Sequence, residues 1–142
     1  MTKPGGASSL VVDASALIDF LLRQPLARRL RKAMFAETVR LHAPDLIDAE
    51  LLMVLRRCER SGELGALRAD ELQEDFRQLP IELHALRPHY DRVWSVRNTI
   101  TVNDAYYVSL AEAIGAPLLT TDNRLARGLA ALGTVSVVDL AD

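Results

Sequence analysis

Short apolar runs alternate with longer helix-patterned stretches along the chain, and that alternation limits the available folds more than any single residue does. Strand candidates occupy 10–12, 40–43, 81–86, 117–121 and 134–138. Between them the periodicity predicts helices over 15–22, 25–36, 45–60, 68–78, 88–97, 104–114 and 123–132. Strand and helix in alternation predict a parallel sheet covered on both faces. The expected class is α/β, a three-layer α/β/α sandwich around a mainly parallel sheet of four to five strands. Ser61-Gly62, Gly115 and Gly133 stand where helices should end. A chain of 142 residues suits one domain, 1–142, with residues 1–8 as a flexible lead.

In such sheets ligands bind beyond the carboxyl ends of the strands. Two acids stand there: Asp13, closing the first apolar run of SLVVDASALIDFLL, and Asp122, following PLLTT. Asp13 has two readings. It can cap a helix or shape a turn, or it can serve a site; Ser15, directly before ALIDFLL, is able to take over the cap. Glu50 lies in PDLIDAELLMVLRR, with Asp45 as the natural N-cap and Leu46, Ile47, Met53 and Val54 around it at helical spacing. A carboxylate in apolar surface has to be paired, protonated or metal-bound, because burying it alone costs several kcal/mol. Arg57 shares its helix face and could reach it through a third group. Asp104 falls in a T-x-x-D capping pattern with Thr101, and Asp122 fits the cap of the last helix.

Singly, each acid has a structural explanation; together they ask for another. A parallel sheet brings Asp13, Asp104 and Asp122 to one edge, with Glu50 entering from a neighbouring helix. Four carboxylates in one crevice cannot all stay ionised unaided, and an all-oxygen cluster suits Mg²⁺ or Mn²⁺ rather than Zn²⁺. A hard cation that keeps some of its waters suits phosphodiester hydrolysis.

The formal net charge of −2 offers no bulk attraction for a polyanion, so any nucleic-acid contact needs a local patch. Fifteen of the 17 cations are arginine, which favours bidentate pairing with carboxylate or phosphate. Arg23, Arg28, Arg29, Arg31 and Lys32, near the first acid, are candidates for phosphate contact, with Arg124 and Arg127 as a second group. Cys58, the sole cysteine, reads as a small core residue. His42, His84 and His89 lack the paired spacing of a metal site. Trp94, Tyr106 and Tyr107 read as core or dimer interface. No apolar run approaches the roughly 20 residues that cross a bilayer, and a cytoplasmic protein without membrane contact is expected.

VVDASALIDFLL, PDLIDAELLMVLRR and TVNDAYYVSLAEAIGAPLLTTDNRL resemble, in order, the acidic motifs of PIN-domain ribonucleases, especially VapC toxins of bacterial toxin–antitoxin pairs. RSGELGALRADELQEDFRQLPIEL fits the family's helical middle. The resemblance implies a PIN-like fold and a Mg²⁺-binding catalytic site made by Asp13, Glu50, Asp104 and Asp122, with Ser15 in support. It further implies cleavage of structured RNA, commonly tRNA or ribosomal RNA, inhibition by a VapB-type antitoxin, and a homodimer. Asn103 departs from the family, many of whose members carry an aromatic or other side chain before the Asp-Ala pair; that touches specificity more than chemistry.

Other small α/β phosphate chemistries fit less well. A phosphorelay receiver needs a lysine near its last strand, and Lys3 and Lys32 are the only lysines. A haloacid-dehalogenase-type phosphatase needs Asp where Ser15 stands, and no glycine-rich phosphate loop follows a strand. The alternative from a different class is a PIN-like protein-interaction module without significant catalysis.

Overall fold

The computed structural model describes residues 8–22 and 25–140. Four strands, β1 (Ser8–Val12), β2 (Val39–Pro44), β3 (Ile81–His84) and β4 (Leu118–Leu119), pair in parallel in the order β3-β2-β1-β4. Helices on both faces complete three α/β/α layers. Leu10, Val11 and Val12 are buried because β1 is central and covered on both sides, which explains its unbroken apolar run. Of the lead expected over residues 1–8, residues 1–7 lie outside the described residues, as does Arg23. Ser8 instead begins β1, its N–H donating to the Thr38 carbonyl at 2.7 Å.

The chain runs outward from β1 through α1 (Ala14–Leu21) and α2 (Ala27–Met34) to β2, then through α3 (Leu46–Ser61) and α4 (Ala66–Gln78) to β3. It returns through a 3₁₀ turn (Arg87–His89), α5 (Tyr90–Ser95) and α6 (Val102–Ile114) to β4, on the far side of β1, and α7 (Asn123–Leu132) follows. The direction of strand addition therefore reverses between β1 and β4, which places the switch-point crevice beyond their carboxyl ends. Gly62, Gly115 and Gly133 end α3, α6 and α7 at φ of 84°, 67° and 70°, the left-handed conformation that a side chain disfavours.

Several boundaries differ from the periodicity. The strand expected over 81–86 stops at His84, because the Leu86 carbonyl accepts from the His89 N–H at 2.9 Å and opens the 3₁₀ turn around Pro88. The helix expected over 88–97 is consequently split into that turn and the short α5. The strand expected over 134–138 reduces to one parallel bridge, Leu118 with Val137, since β4 offers only two residues for pairing. Cys58 is buried, as expected; of the two places expected for Trp94, core or dimer interface, it is not in the core, standing 61% exposed with the Arg97 guanidinium 4.3 Å above its ring.

Candidate active site

Asp13 leaves β1 with its N–H bonded to the Leu119 carbonyl of β4 at 3.1 Å, so the two strand ends are fastened together at the switch point. Its side chain is the N-cap of α1: Oδ1 accepts from the Ala16 N–H at 2.9 Å. The cap thus belongs to Asp13 and not to Ser15, because Ser15 is already inside the helix. Ser15 serves the carboxylate instead, its hydroxyl donating to Asp13 at 2.8 Å and accepting from the Thr121 N–H at 3.2 Å. Thr120 also donates to Asp13 Oδ2 and accepts from the Asp122 N–H at 3.0 Å. With the side chain 4% exposed, burial pushes Asp13 up to about 6; the bonds from Thr120, Ala16 and Ser15 oppose that shift, and Asp122 adds to it.

Glu50 sits one turn into α3 and accepts a hydrogen bond from the Tyr107 hydroxyl of α6. That bond replaces the expected link toward Arg57. Of the apolar residues around it, Met53 is 59% exposed and Ile47 fully buried, and Tyr107 adds cover from across the crevice. Burial raises Glu50, hydrogen bonds from Tyr107 and the Asn103 side chain hold it down, and Asp104 pushes it up. Asp45 does not act as a capping side chain: its backbone is already helical, and its N–H is committed to the His84 carbonyl at 2.9 Å.

Asp104 and Asp122 occupy the first turn of α6 and the N-cap of α7. Thr101 caps α6 by accepting from the Asp104 N–H at 3.3 Å. Asp122 Oδ1 accepts from the N–H groups of Arg124 at 2.8 Å and Leu125 at 3.4 Å. Burial raises Asp104, Thr101 and Arg124 lower it, and Asp122 raises it again. The Arg124 guanidinium lies 3.7 Å from Asp104 and 3.8 Å from Asp122, a cation shared between two of the acids.

Mutual repulsion thus links Asp13 to Asp122, Asp122 to Asp104, and Asp104 to Glu50, so all four acids share one electrostatic region. They do not form a tight cluster. Among the described residues, the group whose ligand atoms all lie within 4.8 Å of one another is His42, Glu82 and His84, which sequence spacing did not disclose. Sequence reasoning also missed the parts of Tyr107 and Thr120. Tyr107 could have been found one turn after Asp104 on the same helix face, and Thr120 two residues before Asp122.

The basic candidates fall in two places. Arg28 and Arg31 line a cavity with Phe20 and Arg68, and Arg29 lies on the same helix, α2. Arg97, Arg124 and Arg127 line another groove, which Asp104 also borders.

Replacing Tyr107 by Phe removes a bond that favours ionised Glu50, so the Glu50 carboxyl should titrate at higher pH than in the wild type. Carboxyl ¹³C NMR would read this, and an unchanged Glu50 titration would show that the Tyr107 hydroxyl contributes nothing to it.

The chain and its fold have counterparts among known proteins. The chain belongs to the PIN domain family, whose model matches residues 10–128. It is 44% identical over 118 residues to ribonuclease VapC3 of Mycobacterium tuberculosis, covering 83% of this chain and 85% of that one. VapC ribonuclease Mb0985 of Mycobacterium bovis is 37% identical over 116 residues, covering 82% and 87%. Among solved structures, M. tuberculosis VapC20, described as a Sarcin-Ricin loop cleaving toxin, superposes with a TM-score of 0.66 at 12% identity, covering 92% of this chain and 99% of that one. A toxin–antitoxin complex from Klebsiella pneumoniae gives 0.66 at 14% identity, covering 94% and 98%. At those identities the likeness concerns the fold.

Proposed function

We propose that this protein is a metal-dependent endoribonuclease toxin that hydrolyses structured RNA, tRNA or ribosomal RNA, and is neutralised by a VapB-type antitoxin. The observation that carries the reading is four carboxylates linked by mutual repulsion around the β1/β4 switch point, three of them raised by burial. The names of the relatives, VapC ribonucleases, agree with it. Structural neighbours solved as toxin–antitoxin complexes support the antitoxin partner. A homodimer and a cytoplasmic location belong to the same reading; among the described residues no helix is long and apolar enough to cross a membrane.

The donor set fits Mg²⁺ or Mn²⁺: all four side chains offer oxygen, and such an ion keeps several waters. Asp13, Glu50, Asp104 and Asp122 would hold it. When bound, such an ion supplies an activated water and neutralises charge on the scissile phosphate. The chain's residues do the rest. Ser15 and Thr120 fix the Asp13 carboxylate, and Tyr107 fixes Glu50. Arg124, beside Asp104 and Asp122, would take a phosphate, with Arg97 and Arg127 along the same groove.

The test is incubation of antitoxin-free protein with total RNA in Mg²⁺, in Mn²⁺ and in EDTA. Discrete fragments in either metal and none in EDTA are expected; RNA left intact in every condition would favour the protein-interaction module. Protons compete with the cation for Asp13, so Mg²⁺ affinity should fall as pH drops through about 6. Calorimetric titration at pH 5 and pH 7.5 would check this. For the basic groups, replacing Arg124 and Arg127 should flatten the salt dependence of RNA binding, by about one log–log unit for each phosphate that is no longer neutralised. The triple replacement of Arg28, Arg29 and Arg31 tests the other patch in the same way.

A further inference from the structure

On the flank of the sheet away from β4, β2 and β3 assemble a second set of ligating side chains. The parallel register sets His42 opposite Glu82 and Pro44 opposite His84. Glu82 and His84, two residues apart on β3, therefore share the face on which His42 stands. His42 Nδ1 lies 3.0 Å from His84 Nε2 and 3.2 Å from Glu82 Oε2. Its other nitrogen, Nε2, lies 3.2 Å from the Ser9 hydroxyl of β1.

We infer that His42, Glu82 and His84 form a binding site for a divalent transition ion of the Zn²⁺ type, separate from the carboxylate crevice. The spacing has the right scale. Bonds of about 2.0–2.1 Å in a tetrahedral zinc site put neighbouring ligand atoms about 3.3 Å apart, close to the separations seen here. Two imidazoles and one carboxylate select Zn²⁺, Co²⁺ or Ni²⁺ over Mg²⁺. With an ion bound, the Nδ1 lone pair of His42 would face the other two ligands and Nε2 would carry the proton, with the Ser9 hydroxyl 3.2 Å away to accept it. The His42 side chain is 8% exposed and the Glu82 side chain 62%, so the trio is anchored in the sheet and open to solvent through Glu82. Water can complete the coordination from that side. An ion held there ties the edge strand β3 to β2.

The experiment is Zn²⁺ titration of untagged protein by calorimetry, with millimolar Mg²⁺ present, on the wild type and on Asp13→Asn, Glu82→Gln and His84→Ala. His84 and Glu82 are replaced in preference to the buried His42 so that folding is kept, and circular dichroism checks that it is. One Zn²⁺ per chain is expected in the wild type and in Asp13→Asn, with affinity at least about tenfold weaker in Glu82→Gln and His84→Ala. Co²⁺ should give visible d–d absorption that His84→Ala loses. Absence of Zn²⁺ binding by the wild type, equal affinity in His84→Ala, or loss of the site in Asp13→Asn would overturn the proposal.

Discussion

Replacing Asp13 by Asn should abolish RNA cleavage and make the metal-free protein more stable at neutral pH. The loss of activity follows from the proposed role: removing the most buried of the four acids takes away a charged ligand, and a fall on the order of a thousandfold or more is expected. The gain in stability follows from burial. Asp13 has a pKa of about 6 in the fold against 3.8 for the free side chain. Between those values the folded state holds a proton that the unfolded chain has released, so stability declines as pH rises from 4 through 6. The full difference is about 3 kcal/mol above that window. Asn carries no such cost, and it keeps the cap of α1, since Asn and Asp are about equal at that position. The melting temperatures of the two proteins should therefore coincide near pH 4 and separate above pH 6, with the variant higher. A gap independent of pH, or a less stable variant at pH 7.5, would contradict a carboxylate destabilised by burial.

Asp122 should divide its two duties between two substitutions. Asn at this position keeps an oxygen for the N–H groups of Arg124 and Leu125 but removes the charge beside Asp104 and Asp13. The expected result for Asp122→Asn is a loss of cleavage of at least about a hundredfold with little change in melting temperature. Asp122→Ala should lose the same activity and also about 1 kcal/mol of stability, roughly 3 °C in a chain of this size. If Asp122→Asn retained wild-type turnover, Asp122 would be a cap and nothing more.

The sequence shows the sheet well where a strand is buried on both faces and poorly where it is short. β1 and β2 announce themselves as apolar runs ending at polar junctions. β4 keeps only Leu118 and Leu119 in the ladder, and the apolar stretch after Gly133 has almost no strand left to pair with. The four acids are legible because each stands at a helix start or in an apolar helical run. Their pairings are not: Tyr107 and Thr120 lie close in sequence to Asp104 and Asp122, but they bond to Glu50, 57 residues away, and Asp13, 107 away, and no local pattern connects those pairs. The histidines stay hidden for a related reason. His42 and His84 lie 42 residues apart, and strand register, not spacing along one helix or loop, puts them in contact.

The fastening of Asp13 to Thr120 joins the two ends of the chain. Asp13 is made early, while the side chains that hold and complete its site, Thr120 and Asp122, are made more than a hundred residues later. Until β4 pairs with β1, Asp13 has only its local partners, Ser15 and Ala16, and lacks Thr120 and Asp122. On the proposed reading, a chain ended before Thr120 should show no RNA cleavage, because it lacks Thr120 and Asp122. On that reading the last strand, only two residues long, is what completes the site.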